Sequence, residues 1–158
     1  MKKIAKFEKV SLNQYLLDGA KEDYENIILP RRATSGSAGY DFFSPIPFTL
    51  NPGETIKVPT GIRAKIEDGW VLKIYPRSSL GFKYRLTLNN TVGIIDSDYY
   101  FAENEGHIFI KITNCGEKVL EIEKGKAFAQ GIFLEYGITY DDEATASRTG
   151  GMGSTDKK

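Results

Sequence analysis

Apolar side chains recur at every second position along much of this chain. Ile62, Ala64 and Ile66 alternate with Arg63 and Lys65, Ile108, Ile110 and Ile112 alternate with Phe109 and Lys111, and Leu120 and Ile122 flank Glu121. In a pleated strand successive side chains point to opposite faces, so this period commits each segment to a sheet with one apolar face. Residues 70–75 and 127–134 are denser apolar runs and predict more deeply buried strands. Turn chemistry separates the runs at Asn51-Pro52-Gly53, Glu67-Asp68-Gly69, Asn114-Cys115-Gly116 and Lys124-Gly125. Many short strands with frequent turns predict an all-β sandwich or barrel rather than a doubly wound sheet. Helical spacing is scarce: residues 13–18 and 78–83 predict a turn or two each.

The 158 residues suit one domain, and no internal repeat or second domain is visible. Two regions break the alternation. Residues 30–38 (PRRATSGSA) form a small-residue loop with two arginines, and from Asp141 onward large apolar residues give way to glycine. The expected division is a β-rich body over 1–140 and a glycine-rich tail over 141–158, mobile when nothing holds it. Lysine plus arginine and aspartate plus glutamate both total 21, and zero net charge argues against holding nucleic acid or an anionic membrane by bulk charge. One cysteine, Cys115, cannot form an internal disulfide, and with one histidine, His107, it cannot build a Cys/His zinc site. No apolar run approaches the roughly 20 residues that span a bilayer, and the start lacks a signal peptide's apolar core. A soluble, cytoplasmic protein is expected, with chemistry resting on carboxylates, hydroxyls, arginines and backbone amides.

Gly93-Ile94-Ile95-Asp96-Ser97-Asp98-Tyr99 ends an apolar strand with two carboxylates and an aromatic, close to Asn89-Asn90. If the segment is extended, Asp96 and Asp98 share a face and need a cation or hydrogen bonds to coexist as anions. It reads either as a polar hairpin or as a general base aimed at water, with Asn90 offering donors and an acceptor to a ligand edge. Pro76-Arg77-Ser78-Ser79-Leu80-Gly81 reads as a serine N-cap or as an anion site. The tail Arg148-Thr149-Gly150-Gly151-Met152-Gly153-Ser154-Thr155 lacks the P-loop pattern and reads either as a free end or as a lid over a polyphosphate. Ala38-Gly39-Tyr40-Asp41 is a strand start after a glycine turn.

In their order along the chain these segments resemble the five motifs of the homotrimeric dUTPase family: residues 38–41, 76–81, 93–99 with Asn90 ahead, Gly125-Lys126-Ala127-Phe128-Ala129-Gln130, and Arg148 through Thr155. The resemblance runs from about residue 30 to the end. It implies a jelly-roll-like β fold, a homotrimer with active sites between subunits, and hydrolysis of dUTP to dUMP and pyrophosphate. It implies Asp96 as the base for in-line attack of water on the α-phosphorus. Asn90, with backbone groups of Gly93 and Ile95, would read the uracil edge, and Tyr99 would lie under the deoxyribose. Arg77, Ser78, Ser79 and Gln130 would hold phosphates, Asp41 would orient a hydrated Mg²⁺ borne by the substrate, and Arg148, Met152, Gly153, Ser154 and Thr155 would close over the ligand.

The chain departs from the family pattern at four places. Met152 stands where a phenylalanine usually covers the base, and Ala127 stands where an arginine is usual. A flexible thioether specifies less than a ring, so looser closure or weaker affinity is expected. His107 stands at a position often acidic and is expected to be structural or solvent-exposed. Residues 100–105 lengthen the link after the third motif, predicting a loop that projects near the active-site rim, as a tolerated insertion or a surface for a regulatory protein partner. A dCTP deaminase, or a bifunctional deaminase–dUTPase, shares the Pro-Arg-Ser-Ser-Leu stretch, but residues 106–114 lack the glutamate such enzymes place there. The third reading is a regulatory protein that uses this body mainly for binding.

Overall fold

The computed structural model of the protein describes residues 1–151. The elements, in chain order, are β1 (Ala5–Lys9), α1 (Leu12–Tyr15), α2 (Lys21–Glu25), β2 (Arg31–Arg32), β3 (Tyr40–Phe43), β4 (Phe48–Leu50), β5 (Thr55–Pro59), β6 (Ile62–Ile66) and β7 (Trp70–Pro76). There follow α3 (Ser78–Tyr84), β8 (Leu86–Leu88), β9 (Gly93–Ile95), a 3-10 helix (Ser97–Phe101), β10 (Phe109–Asn114), β11 (Leu120–Ile122) and β12 (Ala127–Glu135). The strands form four small antiparallel sheets, ordered β1-β6, β5-β10-β8, β11-β4 and β2-β3-β12-β7-β9. This is the all-β fold that the alternation predicts, in the jelly-roll form that the family resemblance implies.

The period-two segments fold as read. Ile62, Ala64 and Ile66 are buried while Lys65 faces water, and Ile108, Ile110 and Ile112 enter the same core. All four turn sites connect strands, and Gly53, Gly69 and Gly125 take the left-handed backbone that the turns require. Residues 30–38 are less loop-like than read, since Arg31–Arg32 pairs with β3 and the Arg32 guanidinium donates to the carbonyls of Ser35 and Ser37. The second short helix, α2, carries no apolar stripe that sequence spacing could reveal. The N-terminal segment ahead of the motif-bearing region is nonetheless core, for Val10 and Tyr15 are fully buried. Among the described residues no helix is long and apolar enough to cross a membrane.

Residues 100–105 are tied to the body at both ends rather than forming a free loop, while the Phe101 side chain between them stands exposed. Tyr100 packs under the Arg63 guanidinium, 3.6 Å from its ring centroid, and donates its hydroxyl to Glu8. At the far end the Glu105 carboxylate, carried on a left-handed backbone (φ 60°), accepts from both the amide and the hydroxyl of Ser11, the residue that caps α1. Gly106 follows with φ 72°, and a Cβ there would sit 2.6 Å from the Tyr99 carbonyl oxygen, so only glycine closes this loop. The physical reason for the difference is that both ends of the insertion find polar partners on the β1–α1 segment.

His107 is structural and fully buried rather than exposed. Its Nε2 accepts from the Gly61 amide at 2.9 Å, which makes Nδ1 the protonated nitrogen; Nδ1 lies 4.0 Å from Asp18, too far to donate. Burial pushes the imidazole down to about 4, against a weaker opposing pull from Asp18 and Glu105. The unfolded chain therefore takes up a proton near pH 6.5 that the folded chain refuses until about pH 4, so His107 erodes stability as pH falls through this window. The loss should reach about 2 kcal/mol at pH 5 relative to pH 8. Urea unfolding at both pH values checks this, and His107→Gln should flatten the slope; an equal slope in the variant would assign the acid sensitivity elsewhere.

Candidate active site

The turn between β8 and β9 links strands of two different sheets, and a cavity opens where those sheets part. It holds about 260 Å³ and is walled by Ile74, Leu88, Ile95, Ile108 and Phe109, with Tyr99 among its lining residues. Gly93 leaves room at the wall, where a Cβ would lie 3.0 Å from that of Ile74. The turn itself is strained: Thr91, β-branched, sits at φ 67° and donates its amide to Leu88, while Val92 donates to the Asn90 carbonyl at 2.7 Å. Left-handed backbone at a β-branched residue is costly and is held by its surroundings. Its effect here is to bring Asn90 to the lip of the cavity.

The apolar strand stops at Asp96, whose carboxylate lines the cavity. Asp96 and Asp98 do not share a strand face as expected from an extended backbone, because Asp96 flanks the 3-10 helix and Asp98 lies within it. The cation that the pair requires is Arg148, which donates from Nη2 to Asp96 at 2.9 Å and from Nε to Asp98 at 2.8 Å. Both carboxylates are half exposed, so each ion pair contributes no more than about 1 kcal/mol. Tyr99 is anchored more firmly. Its hydroxyl donates to the His107 carbonyl at 2.5 Å, and burial pushes the phenol up, with Asn104 and Arg148 opposing, so it stays protonated.

A second cleft, of about 320 Å³, is lined by Gly39, Asp41, Arg77, Ser78, Ser79 and Gln130 among others. Asp41 on β3 faces Gln130 on β12, and Arg77 Nε reaches the Asp41 carboxylate at 3.1 Å. The side chain of Gln130 donates to the Pro76 carbonyl, and its oxygen presses on Gly39, where a Cβ would lie 2.6 Å away. Ser78 is not the helix cap: Arg77 flanks α3 and makes no side-chain capping bond, so both serine hydroxyls remain at the cleft.

A family model described as dUTPase matches residues 25–156. This chain belongs to the dUTPase family. It is 42% identical over 137 residues to the deoxyuridine 5'-triphosphate nucleotidohydrolase of Lactococcus lactis subsp. lactis (strain IL1403), covering 84% of this chain and 91% of that one. With the enzyme of the same name from Paraburkholderia xenovorans (strain LB400) it shares 38% over 156 residues, 94% and 99% of the two chains. The crystal structure of the dUTPase from Streptococcus mutans superposes with a TM-score of 0.67 at 35% identity, covering 84% of this chain and 97% of that one.

The residues expected of a dUTPase fall into two groups that share no lining residue. Asn90, Gly93, Ile95, Asp96, Tyr99 and Arg148 meet at the first cavity, and Asp41, Arg77, Ser78, Ser79 and Gln130 at the second. Met152, Gly153, Ser154 and Thr155 lie outside the described residues. Sequence reasoning missed the hydrophobic walls, Ile74, Leu88, Ile108 and Phe109, which look like ordinary strand positions. It also missed Asp98 as a tail anchor, since only the fold shows where the tail returns.

The tail reaches the first cavity through Arg148, and Thr149 ties it to the neighbouring insertion, its carbonyl accepting from the Glu103 amide at 3.2 Å. Arg148→Gln should speed hydrogen exchange at the Glu103 amide about fivefold to tenfold, the scale of a lost surface ion pair or two. Unchanged exchange would show that the arginine does not hold the tail.

Proposed function

We propose that this chain splits dUTP with water into dUMP and pyrophosphate, and that Asp96 is the general base. The observation that carries the reading is a cavity of about 260 Å³ whose lining brings together apolar strand side chains, Asp96, Asn90 and the half-buried Tyr99. Asp96 takes the proton of the water that attacks the α-phosphorus in line, and phosphoryl transfer asks little else of the protein beyond position and charge. Asn90 and the backbone of Gly93 and Ile95 read the uracil edge. The Tyr99 ring walls the sugar, where a ribose 2′-hydroxyl clashes, which penalises UTP.

Arg77, Ser78, Ser79 and Gln130 receive the phosphates, and Arg148 leaves the Asp96–Asp98 pair to meet them. A site divided between two clefts of one chain supports completion by another copy, with Asp96 of one subunit facing the Arg77 cleft of the next in a homotrimer. The tail, 141–158, then closes over the ligand, with Met152 beside the base and Ser154 and Thr155 on the terminal phosphate.

Mg²⁺ fits this donor set as a partner of the triphosphate rather than as a protein-caged ion. Among the described residues no group of three His, Cys, Asp or Glu converges, whereas a lone carboxylate, Asp41, stands in the phosphate cleft. Mg²⁺ keeps waters and takes phosphate oxygens, so one carboxylate that binds through water suffices. When bound, the ion neutralises phosphate charge, and Asp41 orients its hydration shell.

Incubation with dUTP, dCTP, dTTP and UTP plus Mg²⁺, with pyrophosphate and ammonia both measured, tests the activity. Pyrophosphate from dUTP alone is expected; ammonia from dCTP would make the protein a deaminase, and no turnover would remove both. Asp96→Asn should keep dUTP affinity within about threefold and lower kcat at least about a hundredfold, the range for a lost general base. A variant with the parent's kcat would rule Asp96 out as the base.

A further inference from the structure

The insertion at residues 100–105 is folded onto the body at both ends, and one of its side chains, Asn104, bonds to Tyr99, which lines the candidate site. Asn104 uses both ends of its amide. Its Oδ1 accepts from the Gly106 amide at 3.1 Å, which shapes the turn, and its Nδ2 donates to the Tyr99 hydroxyl at 2.9 Å. The same hydroxyl donates to the His107 carbonyl, so the phenol oxygen is held on both sides. Two hydrogen bonds in different directions restrict the phenol and with it the ring that lines the cavity.

A second contact points the same way. Gly151 of the tail lies so close that a Cβ there would sit 3.0 Å from Asn104 Nδ2, and the neighbouring Glu103 amide donates to Thr149. Asn104 therefore stands between the ring that walls the sugar and the tail segment that closes over it.

We propose that Asn104 is a positioning residue for this chain's reaction: it fixes the Tyr99 ring against the deoxyribose and gives the closing tail its seat. This rests on the dUTP reading above. The insertion is thereby part of the specificity apparatus, and its clamps at Glu8, Arg63 and Ser11 serve to hold Asn104 still.

The test separates the turn from the donor. Asn104→Asp keeps an acceptor for the Gly106 amide and removes the donor to Tyr99, whereas Asn104→Ala removes both. In the Asp variant kcat/KM for dUTP should fall about tenfold, and the dUTP-to-UTP ratio of kcat/KM should fall by a similar factor, the scale of one lost hydrogen bond that orients a reacting group. The ratio matters because a merely structural loss would lower both substrates alike. Tyr99→Phe removes the shared oxygen, so Asn104→Asp should cost little further in that background. Parent-like kinetics in Asn104→Asp, an unchanged substrate ratio, or an undiminished effect alongside Tyr99→Phe would overturn the proposal. A parent that turned over no dUTP would sink the activity reading instead. The Tm values of the two single variants and the double would then still decide whether Asn104 grips Tyr99, since additive losses mean that it does not.

Discussion

The antiparallel pairing of β7 with β12 holds the site together. Seven registered pairs run from Ala129 opposite Pro76 to Glu135 opposite Trp70, the longest pairing among the described residues. From this ribbon the functional groups branch at fixed positions. On one flank β3 sets Asp41 opposite Gln130, and on the other β9 sets Gly93 opposite Ile74 and Ile95 opposite Leu72. The end of β7 delivers Pro76 and then Arg77, and the end of β9 delivers Asp96. A slip of one residue would turn Leu72 and Ile74 out of the core and move these groups to the wrong face. Register, fixed by burial, thus fixes the chemistry.

On that rigid frame the polar interactions are graded by strength. Tyr99 is bound through its hydroxyl by two hydrogen bonds in a part-buried setting, where an unmade bond costs about 1 kcal/mol or more. The Arg148 contacts are charged but half exposed, worth far less, and so can be exchanged for phosphate oxygens when a ligand arrives. The group that shapes the cavity is held firmly, and the arginine beside it only loosely. Burial also decides His107: a neutral imidazole that accepts from Gly61 joins the start of β6 to the segment after Gly106, with its carbonyl free to receive Tyr99.

Legibility from sequence followed the range of the forces involved. The alternation at 62–66 and 108–112 and the glycine turns at 53, 69 and 125 are local, and they read correctly. Asp96 and Asn90 stood out because polar residues interrupt apolar strands there. The geometry between Asp96 and Asp98 was misread because a 3-10 turn replaces the strand at Ser97, a choice made by tertiary packing of Tyr99 rather than by local propensity. The placement of residues 100–105 was misread for a similar reason: Tyr100 and Glu105 find their partners at Glu8 and Ser11, and contacts 92 and 94 positions apart leave no local trace.

Zero net charge is compatible with a triply phosphorylated ligand once the charges are placed. Arg148 is neutralised in this structure by Asp96 and Asp98, and Arg77 by Asp41, so neither cleft offers an uncompensated cation to solvent. Bulk polyanions such as nucleic acid meet no basic field. A small anion that enters a cleft competes directly with a carboxylate for its arginine, and it does so at short range, where geometry rather than total charge decides. Each arginine given up by a carboxylate also leaves that carboxylate free. If Asp96 is the base proposed above, release of Arg148 frees the Oδ2 oxygen that it holds in this structure, so capture of a phosphate by Arg148 and arming of the base would be one exchange of partners. A carboxylate and a phosphate would compete for one guanidinium, and under that proposal the competition is what couples ligand binding to the base.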